Sequence, residues 1–261
     1  MDGGPVVIEG YTGSHYQAAC VPSGWVDRVC TTCRAPVSPG YERCRPCTTA
    51  PEQAVPACAG FVIYAIKDAQ SGTDMHRYKS TPPSVSAIVA ARGMVRRAFD
   101  HLDCLERITG RAVDTLAVVP SRSHYQAGKP STLQSLVESQ APINLPLCSL
   151  TPSSSTPHKD RVVKPDVFVV KGNGEHVLVI DDTWVSGASI MSAVWSLHQA
   201  GSPTVSTLCL ARWLDPGFSA TQPFITQMDQ AQAWVTLPDK KCCPYTATGV
   251  CPAPSIGSLP G

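Results

Sequence analysis

After residue 58 the chain alternates short apolar runs with segments of helical periodicity. The apolar runs begin at Phe61, Thr115, Val167, Val177, Thr204 and Ala233. The helical segments span 84–99, 132–139 and 188–200. When helices cover a strand on both faces, the strand's sequence is an unbroken apolar run, because neither side of the strand meets water. The alternation therefore predicts an α/β fold with a mostly parallel sheet and flanking helices.

Cap and turn residues predict where several of these elements end. Ser84 follows two prolines and is a good N-cap for the helix over 84–99. Gly201 follows the helix over 188–200, as glycine commonly does at a helix end. The run Gly172-Asn173-Gly174 separates the apolar runs that begin at Val167 and Val177. Because such a turn favours a tight reversal, it predicts a hairpin between those two strands.

Four cysteines near the N-terminus have the spacing of a metal site. Cys30, Cys33, Cys44 and Cys47 form two C-x2-C pairs that ten residues separate. In a reducing compartment this pattern indicates metal ligation rather than disulfides, and four thiolates suit tetrahedral Zn²⁺. The segment has too few apolar residues for a core, so the metal would supply its folding free energy. We predict a zinc ribbon over residues 25–50, within an N-terminal segment 1–58; unrelated thiols or a redox pair are the alternatives.

The chain has twelve cysteines, and the other eight carry weaker signals. Three of them lie in apolar or periodic surroundings and are predicted to be buried: Cys104, Cys148 and Cys209. Two flank the ribbon at no recognised spacing: Cys20 and Cys58. Three more cluster in a Cys/Pro-rich C-terminal tail, predicted over 239–261: Cys242, Cys243 and Cys251. These three thiols could begin a second metal site, but the sequence shows no fourth ligand, and a loop-rich tail without metal is the alternative.

Composition and charge narrow the class of protein. The chain has 261 residues, is 43% hydrophobic and has a formal net charge of +1, so it lacks the strong basic charge of many nucleic-acid or lipid-surface binders. It has no apolar run long enough to span a membrane, and its first residues lack a signal-peptide pattern. A cytoplasmic location is therefore expected. The ribbon itself has four arginines against two acidic residues, which leaves open a structural clip, a protein contact or a DNA contact.

The stretch VLVIDDTWVSGAS, Val177 to Ser189, has the strongest chemical signal. Asp181 and Asp182 follow an apolar strand, at the end where open α/β sheets bind ligands. The loop from Val185 to Ser189 leads into a helix, whose N–H groups and dipole favour an anion. Two carboxylates beside a phosphate site suit the diol and phosphate of a ribose 5-phosphate, and can also meet Mg²⁺ through water.

This stretch resembles the phosphoribosyl-pyrophosphate (PRPP) motif of type I phosphoribosyltransferases. It departs from the motif at Val185, where that family has Thr or Ser. With the four-Cys ribbon ahead of it, the chain resembles the ComF-type competence proteins. Arg161 and Phe168 match a family element in which Lys164 replaces an Asn. The run Ala117–Ser123 is similar to the strand and basic loop of the family's pyrophosphate site.

The resemblance implies a fold and a set of site residues. It implies a type I phosphoribosyltransferase-like domain over residues 59–238 that binds PRPP together with Mg²⁺. Asp181 and Asp182 would bind the ribose, and Arg122 would contact pyrophosphate; these three are the implied catalytic residues. The remaining PRPP-binding residues implied are Thr183, Ser186, Gly187, Ala188, Ser189, Ser121 and Arg161. A Ser/Pro-rich segment over 149–161 would be a mobile lid.

The resemblance leaves several functions open. An enzyme would transfer phosphoribose from PRPP to an unidentified nitrogen acceptor and release pyrophosphate. A non-enzymatic protein would bind PRPP or a nucleotide as a ComF-type factor in DNA uptake or regulation, with the ribbon on DNA or a protein partner. A scaffold that has lost ligand binding is a third reading. A homodimer is left open, and the acceptor base cannot be assigned from sequence.

Overall fold

A computed structural model describes residues 16–121, 129–153, 161–230, 234–235 and 242–254. In these residues the strands are β1 Tyr16–Ala18, β2 Ala59–Ile66, β3 Thr115–Val118, β4 Leu147–Pro152, β5 Phe168–Lys171, β6 His176–Trp184, β7 Thr204–Leu214 and β8 Trp234–Val235. The α-helices are α1 Arg45–Thr49, α2 Gln70–Arg77, α3 Val85–Phe99, α4 Leu102–Thr109, α5 Thr132–Gln140, α6 Ala188–Gln199 and α7 Thr221–Gln230. Two 3₁₀ turns span Ser23–Arg28 and Glu52–Ala54.

The strands form one sheet in the order β5-β4-β3-β6-β7-β2-β1-β8. The five strands from β4 to β2 run parallel to their neighbours, and antiparallel strands lie at both edges. The predicted α/β class with a mostly parallel sheet and flanking helices is confirmed. β6 lies between β3 and β7, so the end of the Asp181–Asp182 strand falls in the middle of the sheet's carboxyl edge.

Helices cover the sheet on both faces. On the first face lie α6, α7 and the cysteine ribbon, whose buried side chains share one apolar core with that side of the strands. On the second face lie α2, α3, α4 and α5, together with residues 242–254 of the C-terminal tail. Successive residues of β6 point to alternate faces: Val177 and Val179 belong to the first core, Leu178 and Ile180 to the second. This two-sided burial explains the unbroken apolar run that marks β6.

The predicted hairpin between β5 and β6 is wrong. β5 pairs antiparallel with β4 at the sheet edge, whereas β6 pairs with β3 and β7. Gly172 does adopt the left-handed φ, +89°, that such a turn uses. However, the core residues of β6 are buried on both faces, and β5 is partly exposed. Burial of the apolar β6 in the sheet centre therefore outweighs the local turn preference.

None of the helices in the described residues is both long enough and apolar enough to cross a membrane.

Candidate functional site

The predicted acidic pair and loop lie at the carboxyl end of β6. Asp181 and Asp182 are both partly exposed, and the loop over 185–187 leads directly into α6. The backbone N–H of Asp182 donates to Oδ1 of Asp181, at 2.8 Å. Ser186 Oγ lies 3.4 Å from the N–H of Ala188, in the first turn of α6. The sequence thus brings two carboxylates and a helix N-terminus to one edge of the sheet.

Gly187 closes the loop tightly over Trp184. Its φ of +82° lies in the left-handed region that disfavours side chains with a Cβ. A Cβ at this position would lie 2.5 Å from Cε2 of Trp184, whose side chain is only 1% exposed. Trp184 is in turn packed edge-to-face on Phe61, with ring centroids 5.5 Å apart. The glycine therefore lets the loop backbone lie directly on a fixed indole ring.

Two residues outside the predicted site set hold Asp182 in place. The Tyr78 hydroxyl donates to Oδ2 of Asp182 at 2.9 Å, and the Lys79 ammonium forms a short ion pair with the same oxygen. Burial raises the pKa of Tyr78 well above its ordinary value, and the neighbouring carboxylates add to this shift. Tyr78 therefore stays a neutral donor. Tyr78 and Lys79 are adjacent in the sequence, but they precede Asp182 by more than a hundred residues, so the sequence gives no sign of this contact.

Ser121 lies at the same edge of the sheet as the acidic pair. It follows β3, and the N–H of Val119 donates to Ile180 O of the neighbouring β6 at 2.9 Å. Beside it opens a cleft of about 390 Å³, which is lined by the end of β3, most of β4, and α5 with the residues just before it. Lys129 and Glu138 are among the described residues that line it, so the cleft has charged groups of both signs. The acidic pair and the cleft thus occupy neighbouring strand ends.

Three further predictions concern Arg122, Arg161 and the expected lid. Arg122, implied as the pyrophosphate contact, and residues 154–160 of the expected lid lie outside the described residues. Arg161 is exposed. The segment after it lies along α6, since the N–H of Lys164 donates to Ser192 Oγ at 3.0 Å and Ser196 Oγ donates to Pro165 O at 2.8 Å.

The four predicted metal ligands come together on the first face of the sheet. The sulfur atoms of Cys30, Cys33, Cys44 and Cys47 all lie within 4.8 Å of one another. Sγ of Cys33 and Sγ of Cys44 are 3.5 Å apart, close to the S···S edge of about 3.8 Å in a tetrahedral zinc–thiolate shell. Cys44 precedes α1 and Cys47 lies in its first turns, so this short helix fixes the second pair. The four-Cys group can therefore hold a structural metal.

Arg212 connects this four-Cys group to the loop at the end of β6. Its side chain is buried, with Nε 2.8 Å from Cys33 O and Nη2 3.5 Å from Cys33 Sγ. Nη1 donates to Trp184 O at 2.7 Å and to Val185 O at 3.2 Å. Burial opposes the charge of Arg212, but Cys33, with smaller contributions from Cys44 and Cys47, outweighs that effect and raises the pKa of Arg212. One guanidinium thus joins the two sites, which no sequence spacing indicates.

The ribbon packs on the sheet rather than standing free of it. Trp25 lies edge-to-face on Phe224 of α7, with centroids 5.2 Å apart. Arg34 is buried and donates to Ala19 O at 3.1 Å and to Ala59 O at 3.2 Å. Arg34 is therefore unavailable to a nucleic-acid partner, and the exposed basic charge of the ribbon is smaller than its composition suggests.

Comparisons with known proteins add little to this geometry. No protein-family model matches the sequence, and no curated protein matches it. Among solved structures, the chain is similar to adenine phosphoribosyltransferase from Leishmania donovani, with 13% identity and a TM-score of 0.32. The alignment covers 49% of this chain and 66% of that enzyme's chain, which is just under two thirds of it. A similarity this low does not establish a shared function.

Proposed function

We propose that the chain binds PRPP with Mg²⁺, or a related ribose 5-phosphate nucleotide, and transfers phosphoribose to a nitrogen acceptor with release of pyrophosphate. One observation carries the proposal. Two carboxylates at the end of the central strand β6 stand beside a glycine loop that opens the twelve-residue helix α6. The two carboxylates can accept hydrogen bonds from a diol, and the loop with the helix N-terminus can donate to a phosphate. A ribose 5-phosphate carries both groups.

The loop residues would bind the 5′-phosphate. The N-terminal N–H groups of α6 have no partner within the helix, and its dipole is positive at this end. Ser186 and Ser189 are partly exposed and would add hydroxyl donors. Gly187 has no side chain that could cover the loop backbone, so an anion could approach that backbone closely. These groups favour a phosphate over a neutral ligand.

The acidic pair would bind the ribose hydroxyls. A carboxylate can accept several hydrogen bonds, and Tyr78 and Lys79 both use Oδ2 of Asp182. The ammonium of Lys79 opposes direct coordination of a metal at that oxygen. Mg²⁺ would therefore enter with PRPP, where it neutralises pyrophosphate charge, and the carboxylates would meet it through water.

The rest of the edge would complete a transferase. Ser121 and Arg122 are our candidates for the pyrophosphate, and the cleft beside Ser121 is our candidate for the acceptor base. The chain's contribution to transfer would be positioning of C1 against the acceptor nitrogen and stabilisation of charge, without a covalent intermediate. In the ribbon, Zn²⁺ would have a structural role, since all four ligands are cysteines and no coordination position is left open.

A second function has its own supporting observation. Val185 is 49% exposed in the loop, where the resembled family has a hydroxyl residue. One donor to the phosphate is therefore missing, which would lower affinity or turnover. This favours a protein that binds PRPP or a nucleotide without transferring it, with the ribbon face on a protein or DNA partner.

Calorimetric titration of the full chain with PRPP and Mg²⁺ tests the proposal. We expect saturable binding to the wild type and none to Asp181→Asn/Asp182→Asn, because the diol loses its charged acceptors. Asp215→Asn is the matched control: Asp215 follows the neighbouring strand β7 and also pairs with a lysine, with Lys67 Nζ 3.1 Å from Oδ2. The control should bind PRPP like the wild type.

The outcomes separate the two functions. Binding together with pyrophosphate release on addition of a nitrogen base supports the transferase, whereas binding without release across a panel of bases supports the second function. Unchanged binding in a folded double variant would show that the site has been placed on the wrong residues.

A further inference from the structure

A second group of metal-ligating side chains lies on the opposite face of the sheet from the ribbon. It consists of His101, Cys104, Cys243 and Cys251, whose ligand atoms all lie within 4.8 Å of one another. The first three side chains are buried and Cys251 is exposed. His101 and Cys104 come from the start of α4, and the two other cysteines come from the C-terminal tail. The proposed PRPP site uses none of these residues.

The distances between these ligand atoms fit a tetrahedrally coordinated metal ion. His101 Nδ1 lies 3.6 Å from Cys104 Sγ and 3.5 Å from Cys251 Sγ. With Zn–N of about 2.0–2.1 Å and Zn–S of about 2.3 Å, the N···S edge of a tetrahedral zinc site is about 3.5–3.6 Å. Disulfide formation does not account for a nitrogen atom this close to two sulfur atoms. A metal ion that binds all three atoms does.

The backbone holds each half of the group in place. The N–H of Cys104 donates to His101 O at 2.9 Å, which sets the two side chains one helical turn apart. In the tail, the N–H of Cys243 donates to Gly249 O at 2.7 Å and folds the segment back toward Cys251. The neighbouring Cys242 is bonded to Cys20 and is therefore not a member of the group.

The tail that carries Cys243 and Cys251 is docked by polar contacts as well. Arg97 is buried in α3 and donates to Cys242 O through Nε at 3.1 Å and Nη2 at 2.6 Å. The N–H of Phe61 donates to Pro244 O at 2.9 Å, and that of Val21 to Ala247 O at 2.7 Å. These bonds fix the position of the tail against α3, β2 and the residues after β1, so its cysteines face α4 in a defined geometry.

We propose that His101, Cys104, Cys243 and Cys251 form a second structural zinc site that fastens the C-terminal tail to α4. Three thiolates and one imidazole are a standard ligand set for structural Zn²⁺ and leave no position for a substrate. A soft, sulfur-rich set also disfavours Mg²⁺ and Ca²⁺, which take oxygen ligands. The chain then carries one zinc on each face of the sheet.

Metal analysis of the full chain, purified under nitrogen without added reductant, tests this site. We expect about two zinc ions per chain in the wild type, one for each group. Cys251→Ser should halve the zinc content while the chain stays folded, because Cys251 is exposed and its loss opens no cavity. Cys148→Ser is the matched control: Cys148 is buried outside both groups, and this variant should keep both ions. His101→Cys should also keep two, since four thiolates still close a tetrahedral shell.

A second measurement does not depend on how well the variants fold. In zinc-loaded wild type, iodoacetamide should modify Cys251 slowly despite its exposure, and a strong chelator should accelerate that modification at least tenfold. One zinc ion per wild-type chain, or two in folded Cys251→Ser, would overturn the proposal. So would an alkylation rate of Cys251 that chelation leaves unchanged.

Discussion

Replacement of Gly187 by alanine tests whether the loop at the end of β6 is built on the Trp184 ring. The new Cβ would lie 2.5 Å from Cε2 and 2.6 Å from Cζ2 of Trp184. The indole cannot move aside easily, since its side chain is buried and packs against Phe61. The loop backbone must therefore shift away from its present position.

Two terms set the size of the effect. Holding a non-glycine residue in the left-handed region costs about 1–2 kcal/mol. Forcing an extra methyl group into a packed site costs about 1–3 kcal/mol more. We therefore expect Gly187→Ala to lower the free energy of unfolding by about 2–5 kcal/mol. Gly110 has a similar φ of +73°, but a Cβ there meets nothing within 4 Å, so Gly110→Ala should lose only the backbone term.

Urea unfolding of both variants, followed by far-UV circular dichroism, measures the difference. The free energy of unfolding should fall by about 1–3 kcal/mol more in Gly187→Ala than in Gly110→Ala, which is the packing term alone. In calorimetry, Gly187→Ala should also bind PRPP at least tenfold more weakly, whereas Gly110→Ala should bind it normally. Equal losses of stability in the two variants, with equal PRPP affinity, would refute the reasoning.

Two further residues give independent predictions. In urea unfolding, Arg212→Met should lower the free energy of unfolding by about 3–5 kcal/mol, because the carbonyl groups of Cys33 and Trp184 lose a buried charged donor. Arg212→Lys should recover only part of that loss, because a single amine cannot reach both carbonyl groups. Burial lowers the pKa of His176, which bonds to Arg111 O at 2.8 Å and to Ser206 Oγ at 2.9 Å and is neutral in the fold. The unfolded chain therefore binds the extra proton, so stability should decrease as pH falls below about 6.5, by at most about 1.4 kcal/mol per pH unit for this group. Urea titrations between pH 5 and 7 should show a weaker decrease in His176→Gln, and an equal slope in both proteins would contradict the prediction.

The sequence predicted features that depend on local pattern. The apolar run from Val177 indicated a strand buried on both faces, and its end located Asp181 and Asp182 at the carboxyl edge of the sheet. The C-x2-C spacing likewise identified four side chains that the fold brings together. In each case, neighbouring residues carry the whole signal, so no knowledge of the tertiary structure is needed.

The features that the sequence could not predict depend on contacts between distant segments. The hairpin at Gly172 failed because the pairing partner of a strand is decided by burial across the whole sheet. The sequence indicated Cys243 and Cys251 as possible metal ligands but not His101 and Cys104, because more than a hundred residues separate the two pairs and nothing in the spacing joins them. Tyr78 and Lys79 reach Asp182 only because α2 lies beside the end of β6.

The position of Arg212 would couple the proposed ligand on the loop to a metal in the four-Cys group. Its guanidinium bonds to Cys33 in the four-Cys group and to the carbonyl groups of Trp184 and Val185 at the start of the loop. If loss of the metal displaces this side chain and weakens a ligand on the loop by some factor, the ligand must strengthen metal binding by that same factor. The rate at which a chelator removes a metal from the four-Cys group would then depend on whether a ligand is bound to the loop at the carboxyl end of β6.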